Sequence, residues 1–255
     1  MNQPPLALFR SNVHSQNGED GVIAEILRRI GLQGPNNWCV EFGAWDGIHL
    51  SNTFTLVERH GWLAVYIEGD PSKFADLAST ARKYPGVKAI RQMVSPSGGA
   101  GLTLDEILVQ TDLPHDYDLL SVDVDSMDLE LWASHTSYTP KIVVIEVNSS
   151  LMPGLLQWHA ANGAQGNSIS STIAVAQSKG YTLVCHTGNA IFVRDDLIHK
   201  LGLDPTDLEF PERLFDYSRI HQPVSVRALS SIRSAGRRLP RPVQGAIRRA
   251  LYGST

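Results

Sequence analysis

Trp38-Cys-Val-Glu-Phe42 is a short, mostly apolar run, and Gly43-Ala-Trp-Asp-Gly47 follows it directly. The first run predicts a buried strand. The second predicts a tight turn, because two glycines let the backbone bend sharply and approach a ligand closely. A helix predicted over about residues 52–59 completes a strand–turn–helix unit, which is typical of α/β proteins.

The same alternation of strands and helices continues along the chain. Further strands are predicted over residues 63–67, 87–94, 119–124, 142–147, 181–185 and 190–193. Further helices are predicted over residues 22–30 (with Asn17 as N-cap), 71–82, 102–110 and 170–179. This order predicts a Rossmann-like, doubly wound, mostly parallel sheet. The short turn between the last two strands predicts an antiparallel edge strand.

Composition excludes several classes of protein. The chain has 255 residues, and its hydrophobic content of 42% is that of a globular protein rather than a disordered one. No apolar run approaches the roughly 20 residues of a membrane span, and the first residues lack the pattern of a secretory signal. Cys39 and Cys185 lie in strand-like runs, which indicates buried thiols in a reducing compartment. We therefore expect a cytoplasmic protein.

The charge is unevenly distributed. The formal net charge is −4, yet residues 226–255 carry seven arginines and no acid, which leaves −11 on the rest of the chain. An acidic body with a basic tail is not the pattern of a nucleic-acid binder. Apolar residues recur at helical spacing in two parts of this tail, at Val226, Leu229 and Ile232 and at Val243, Ile247 and Leu251. We expect them to dock on the body or on a second subunit, with peripheral contact to an anionic membrane as the alternative.

Polar residues cluster where the predicted parallel strands end. Ligands of open α/β sheets bind outside these carboxyl ends, which here are residues 41–47, 68–70, 123–128 and 146–150. An acid at the end of the second strand can accept hydrogen bonds from two ribose hydroxyls; Glu68 is the candidate, and Asp70 is its competitor. The glycine turn is not G-x-G-x-x-G, which counts against the alternative of an NAD- or nucleotide-dependent oxidoreductase.

Four motifs stand in a characteristic order: Glu41-Phe-Gly-Ala-Trp-Asp-Gly47, Ile67-Glu-Gly-Asp-Pro71, Leu119-Leu-Ser-Val-Asp-Val-Asp125 and Val143-Val-Ile-Glu-Val-Asn148. Together they resemble class I S-adenosylmethionine (SAM)-dependent methyltransferases, most of all the FkbM-type branch. Ser15-Gln-Asn-Gly-Glu-Asp20 is similar to a signature that precedes this domain in some members. The resemblance covers about residues 13 to 196. It implies the class I methyltransferase fold, SAM as cofactor, and methyl transfer to a hydroxyl of a sugar or natural product.

The resemblance also implies roles for single residues. Glu41, Gly43 and Gly47 would line the methionine side of SAM, Glu68 would hold the ribose, and residues 93–95 would flank the adenine. The expected cofactor-binding residues are Glu41, Gly43, Gly47, Glu68, Asp70, Ser95 and Asp123. The sequence departs from the branch at Asp125-Ser126, where Glu-Gly is common, and at the Glu-Gly-Asp-Pro after the second strand.

We expect three regions in the chain. Residues 1–36 would form an N-terminal helical cover segment, residues 37–200 the SAM-binding catalytic domain, and residues 201–255 a C-terminal extension with the basic tail. A protein that binds SAM without catalysis, as a partner module, is a further alternative. The acids retained at the second and fourth strands count against it.

Acids and an amide end the fourth and fifth predicted strands. Asp125, Glu146 and Asn148 would present oxygen ligands of the kind that Mg²⁺ prefers, and such an ion would acidify an acceptor hydroxyl. Strand-end acids can instead contact SAM, cap helices or bind substrate directly. Either Asp125 or Glu146 would also serve as the general base for the acceptor.

His159 is a second kind of candidate base, because histidine accepts protons near neutral pH. It lies in a polar, glycine-containing segment, residues 156–166, where an acceptor would bind. The competing interpretation, which the sequence favours, is a loop histidine beside Trp158. Asn167 and Ser168 would bind acceptor hydroxyls or else cap the helix that follows.

Overall fold

The computed structural model describes residues 3–124, 127–159 and 166–220. Of these, residues 3–216 belong to one compact unit, Met1–Asp216, and residues 217–220 to a second, Tyr217–Thr255. Asp125 and the arginine-rich tail lie outside the described residues, so the roles predicted for them from the sequence stay predictions. Among the described helices, none combines the length and the apolar character needed to cross a membrane.

Seven strands form a single sheet in the order β3-β2-β1-β4-β5-β7-β6. They are β1 (Trp38–Phe42), β2 (Leu63–Glu68), β3 (Val87–Arg91), β4 (Leu119–Val122), β5 (Ile142–Glu146), β6 (Tyr181–His186) and β7 (Asn189–Arg194). The first five are mutually parallel, and β7 is antiparallel to both β5 and β6. The predicted doubly wound sheet with one antiparallel strand on its edge side is therefore confirmed.

Helices precede, separate and follow the strands. They are α1 (Glu19–Ile30), α2 (Phe54–His60), α3 (Pro71–Lys83), α4 (Leu104–Leu108), α5 (Asp128–Ser134), α6 (Ile169–Ser178) and α7 (Pro205–Glu209). Helix α5 was not predicted from the sequence, because its seven residues are too few for a clear apolar period. The third strand was predicted too long, since β3 ends at Arg91 rather than at residue 94.

Helix α1 begins at Glu19 with Gly18 as its N-cap, so the prediction of Asn17 as N-cap is wrong. The reason lies in Asp20, whose Oδ2 accepts hydrogen bonds from three successive backbone amides at residues 13–15 and from the Ser15 hydroxyl. The chain wraps around this carboxylate, and Gly18, at φ 98°, makes the left-handed turn into the helix.

The two ends of this motif connect α1 to the sheet. Glu19 accepts hydrogen bonds from the Asn17 amide (2.7 Å) and from the Thr187 hydroxyl (2.7 Å) in the β6–β7 turn. Asp20 also accepts one from Thr55 in α2. The Ser15–Asp20 signature therefore positions α1 over the sheet, where its apolar residues join a core that includes Cys39 of β1 and Cys185 of β6.

Both cysteines are free and buried, as predicted. Burial raises the pKa of the Cys185 thiol to about 11 and raises that of Cys39 as well. A thiol with a raised pKa stays protonated and is a poor nucleophile. These residues are part of the core and take no part in the site.

Candidate functional site

The turn after β1 has an unusual backbone. Gly43, Trp45 and Gly47 all have positive φ values, of 76°, 48° and 76°. A side chain at Gly43 would collide with the carbonyl oxygen of Asp123, just beyond β4, so this turn lies directly against the end of the neighbouring strand. A left-handed tryptophan is uncommon, and such strain concentrates at functional sites.

Glu68, the last residue of β2, is 6% exposed and faces this turn. Its Oε2 accepts a hydrogen bond from the Trp45 amide (2.9 Å), and its Oε1 accepts one from the Asp70 amide (2.7 Å). Each carboxylate oxygen can accept about two hydrogen bonds. One position on each oxygen therefore remains, which fits the two hydroxyls of a ribose.

Glu41 lies one layer deeper. Its carboxylate accepts hydrogen bonds from the hydroxyls of Ser51 (2.6 Å) and Thr53 (2.5 Å) and from the Asn52 amide (3.2 Å). Burial raises its pKa against the effect of these hydrogen bonds. The structure thus shows Glu41 fixing the segment between the glycine turn and α2. Contact with the methionine part of SAM stays a prediction.

Two other predicted cofactor residues have structural roles. Asp70 is the N-cap of α3, accepting from the backbone amides of Ser72 (2.8 Å) and Lys73 (3.2 Å), and hydrogen bonds led by that from the Ser72 hydroxyl lower its pKa. Ser95 accepts from the Gly101 amide (3.1 Å) and closes its own loop. Neither role tests their contact with a cofactor.

The residues proposed as metal ligands are only partly described. Asp125 lies outside the described residues. Asn148 follows β5, and its Oδ1 accepts from both the amide (3.1 Å) and the hydroxyl (2.5 Å) of Ser150. In the described ranges there is no group of three or more His, Cys, Asp or Glu side chains that could hold a metal ion. Glu146 is the last residue of β5, and its side chain is partly buried.

His159 and Asn167 are neighbours beside the end of β5. The His159 amide donates to Asn167 Oδ1 (2.8 Å), and the Asn148 amide donates to the Asn167 carbonyl (2.8 Å). Ser168 accepts from the Ser171 amide and is the N-cap of α6, so the capping interpretation of Ser168 is confirmed. The structure therefore brings His159 to the strand ends where an acceptor was predicted.

A serine–histidine pair at the same edge was not predicted. Ser149 Oγ lies 3.0 Å from Nε2 of His186, the last residue of β6. The Asp216 amide donates to His186 Nδ1 (3.0 Å), so Nδ1 is an acceptor and the proton of the neutral ring is on Nε2. That proton points at Ser149, and the ring does not activate the hydroxyl. No sequence signal could have paired residues 37 positions apart.

The charge of this edge suits a cationic ligand. Asp46, Glu68, Asp70 and Asp123 follow or end β1, β2 and β4, and Glu146 ends β5. SAM carries a sulfonium and an ammonium group, and clustered carboxylates attract cations.

A cavity of about 200 Å³ lies at the opposite, amino end of the sheet. Lys179 and Tyr181 are among its lining residues, but their polar atoms are already hydrogen-bonded. Lys179 Nζ donates to the His135 carbonyl (2.8 Å), and the Tyr181 hydroxyl donates to the Pro140 carbonyl (2.6 Å). Burial lowers the pKa of Lys179. Ligands of such sheets bind at the carboxyl end, so we place the functional site there.

No protein-family model and no curated protein matches this sequence. Solved structures with a similar fold include the methyltransferase domain of METTL16 (12% identity, 72% of this chain and 70% of that one, TM-score 0.45). They also include M. capricolum TrmK with S-adenosyl-homocysteine (10%, 66% and 65%, 0.39) and a precorrin-6y C5,15-methyltransferase from Geobacter metallireducens (14%, 72% and 92%, 0.42).

The alignments span 65%, 62% and 61% of the chains of TrmK, a Galdieria sulphuraria methyltransferase and a Pyrococcus horikoshii transferase. Likeness at these identities and TM-scores concerns the chain fold alone. The observed strand order, with β7 antiparallel between β5 and β6, is that of a Rossmann-like, doubly wound α/β fold.

Proposed function

We propose that this protein is a SAM-dependent methyltransferase whose cofactor binds at the carboxyl end of β1, β2 and β4. The observation that carries the proposal is Glu68. Its buried carboxylate is held by the Trp45 and Asp70 amides and keeps one acceptor position on each oxygen. A ribose diol supplies the two donors that such a carboxylate accepts.

The surrounding residues fit the rest of the cofactor. The left-handed turn at Gly43 leaves that glycine exposed at the sheet edge, so a ligand can approach the backbone closely. The carboxylates along the edge favour a cationic ligand over a dinucleotide with its negative pyrophosphate. When bound, SAM would supply an activated methyl group on its sulfonium sulfur, and the protein would align the acceptor and remove its proton.

The acceptor, in this proposal, is a hydroxyl group of a sugar or natural product, as in the FkbM-type branch. His159 supports this assignment, because its backbone amide donates to Asn167 Oδ1 beside the end of β5. Asp125 and Glu146 are the carboxylate alternatives for the base. Mg²⁺ held by Asp125, Glu146 and Asn148 is a further alternative, which predicts that EDTA abolishes turnover. Turnover unchanged by EDTA would reject it.

Calorimetric titration tests the cofactor assignment. We expect saturable heat with SAM and S-adenosylhomocysteine and none with NAD. Glu68→Gln removes the charge and one acceptor oxygen, and hydrogen bonds to a charged group contribute about 1.5–3 kcal/mol, so affinity should fall about tenfold or more. Glu106→Gln is the matched control, because Glu106 also accepts a backbone amide but belongs to the cap of α4. Binding of NAD alone would overturn the proposal.

A further inference from the structure

Two buried polar atoms beside β5 have no hydrogen-bond partner among the residues that the structure describes. They are Nδ2 of Asn167 and Nδ1 of His159. Asn167 is 1% exposed, so bulk solvent does not reach its side chain. Buried polar atoms in native proteins are nearly always paired. An unpaired one at a candidate binding site therefore indicates where a ligand could form the missing hydrogen bond.

The orientation of the Asn167 amide follows from its other contact. Its Oδ1 accepts the His159 backbone amide (2.8 Å), so the unpaired atom is the NH₂ nitrogen, which can only donate. His159 Nδ1 can accept or donate, depending on the tautomer. A hydroxyl group within reach of both atoms would satisfy both, since its oxygen would accept from Asn167 Nδ2 while its hydrogen would be donated to His159 Nδ1.

The segment that carries His159 also carries an exposed apolar surface. Backbone and side-chain bonds connect Gln157 to Ser168 (3.0 and 3.1 Å) and Gly154 to Ser170 (2.7 Å), so the segment is held alongside the start of α6. In an extended chain alternate side chains face opposite ways. Accordingly Leu156 and Trp158 face outward while Gln157 and His159 are partly buried.

We call this surface the 152–158 surface and define it by four residues. They are Met152 (48% exposed), Leu155 (52%), Leu156 (77%) and Trp158 (44%). Contiguous exposed apolar residues mark interaction sites more often than single ones do. The 152–158 surface ends at Trp158, which directly precedes His159 in the chain.

We propose that the methyl acceptor is an amphipathic alcohol. Its hydroxyl accepts a hydrogen bond from Asn167 Nδ2 and donates one to His159 Nδ1, and its apolar part lies on the 152–158 surface. This proposal rests on the methyltransferase function above and names the class of its substrate. Asn167 is a specificity-determining residue in it, because a thiol or amine would satisfy its N–H donor less well than an oxygen.

The chemical step balances with these residues. The hydroxyl oxygen of the acceptor forms a bond to the methyl carbon of SAM. The bond between that carbon and the sulfonium sulfur breaks, and its electron pair passes to sulfur. The hydroxyl proton passes to His159 Nδ1, which becomes protonated. The products are a methyl ether, neutral S-adenosylhomocysteine and a histidinium that releases its proton to solvent.

Binding of model alcohols, followed by NMR of ¹⁵N-histidine-labelled protein saturated with S-adenosylhomocysteine, tests the proposal. The probes are n-octyl β-D-glucopyranoside below its micelle concentration and methyl β-D-glucopyranoside. We expect the octyl glucoside to shift the His159 Nδ1 resonance saturably and to bind at least tenfold more tightly than the methyl glucoside. Octyl glucoside that leaves this resonance unmoved would overturn the proposal.

Two variants test the polar and the apolar contacts of the bound alcohol separately. Asn167→Asp keeps the oxygen that accepts the His159 amide but removes the donor, so octyl glucoside should bind at least tenfold more weakly while S-adenosylhomocysteine affinity is retained. Asn37→Asp is the control, since it loses a donor to the Gly34 carbonyl on the chain that leads into β1. Leu156→Ser should weaken the octyl glucoside and spare the methyl glucoside.

The remaining outcomes overturn one claim each. Equal octyl glucoside affinity in wild type and Asn167→Asp would reject the hydroxyl contact. Conversion of a dimer to a monomer by Leu156→Ser, measured by light scattering, would assign the 152–158 surface to a second copy. A wild-type protein that does not bind S-adenosylhomocysteine would reject the methyltransferase function itself. A wild-type protein that binds S-adenosylhomocysteine but neither glucoside would reject only the amphipathic acceptor.

Discussion

At the amino end of the sheet, Asp118 accepts a hydrogen bond from the Trp38 amide (2.8 Å) and another from Lys141 (2.8 Å). At the carboxyl end, Asn167 and His159 each keep a buried polar atom without a partner among the described residues. The charged groups at the amino end are paired as well, since Arg194 pairs with both Asp116 and Asp196.

Two further features belong to the carboxyl end. The loops that follow β1 and β5 hold Trp45 with a positive φ and the 152–158 surface. The segments that lead into β4 and β5 instead hold the paired ring of His135, whose two nitrogens contact Asp105 and the Tyr117 hydroxyl. The amino end serves stability, and the carboxyl end keeps unsatisfied groups that a ligand can use.

The largest expected effect comes from breaking a pair at the amino end. Asp105→Ala leaves His135 Nδ1 and the amides of Thr136 and Ser137 without their acceptor. Hydrogen bonds to a charged group contribute about 1.5–3 kcal/mol each, so we expect Asp105→Ala to lower the free energy of unfolding in urea by about 3 kcal/mol. The affinity for S-adenosylhomocysteine should not change.

An exposed pair provides the control for this prediction. Asp207 pairs with Arg213 at 3.2 Å, where the arginine side chain is 58% exposed. Exposed pairs contribute about 0–1 kcal/mol, so Asp207→Ala should have little effect on unfolding. A loss from Asp105→Ala no larger than that from Asp207→Ala would contradict the stabilising role of the amino end.

The second effect concerns the glycine turn at the carboxyl end. Gly43 and Gly31 have nearly the same positive φ, 76° and 77°, but only at Gly43 would a side chain meet a neighbour, the Asp123 carbonyl. Alanine at either site incurs left-handed strain of about 1–2 kcal/mol. Gly43→Ala should lose about 1 kcal/mol more because of the collision, and it should also abolish SAM binding.

Urea unfolding and calorimetry of both glycine variants check this difference. Gly31 is the C-cap of α1 and lies away from the site, so Gly31→Ala should bind S-adenosylhomocysteine like the wild type. If the two variants were equally stable and Gly43→Ala bound S-adenosylhomocysteine like the wild type, the role assigned to the Gly43 turn would be wrong.

The third effect is a pH dependence at the amino end. Burial would raise the pKa of Asp105, but hydrogen bonds from His135 and neighbouring amides outweigh it and lower the pKa below 3.8. A carboxyl whose pKa is lowered by folding stabilises the protein above its unfolded pKa, and this stabilisation is lost as the pH falls. The stability difference between wild type and Asp105→Asn should therefore shrink as the pH falls below about 4. A stability difference between wild type and Asp105→Asn that grows as the pH falls would contradict the lowered pKa of Asp105.

The smallest effect is expected from the 152–158 surface. Leu156 is 77% exposed, and substitutions at exposed sites usually change stability by less than about 0.5 kcal/mol. Leu156→Ser should therefore unfold at the wild-type urea concentration. A loss above about 1 kcal/mol would show that the residue serves the fold rather than a ligand.

The sheet was predictable because its strands are buried on both faces and read as apolar runs of Val, Ile and Leu. The position of Glu68 at the end of β2 was predictable too, because it directly follows the apolar run of that strand; its contact with a cofactor stays a prediction. The buried role of Glu41 was not, since its partners at residues 51–53 follow a turn whose path depends on Gly43 meeting Asp123.

Pairings between distant residues were also out of reach. The contact of His186 with Ser149 depends on β7 returning between β5 and β6. The N-cap of α1 was missed because Asp20 binds the preceding backbone rather than following a capping pattern. In both cases tertiary structure, not local propensity, decides the contact.

Hydrogen exchange with and without saturating S-adenosylhomocysteine tests the central claim most directly. The account predicts slower exchange at the amides of residues 43–47 and 69–70, including the Trp45 and Asp70 amides that hold Glu68. It predicts unchanged exchange at residues 135–141, which lead into β5 at the amino end. Protection confined to residues 135–141, or no protection at either end, would contradict the assignment of the cofactor site to the carboxyl end of the sheet.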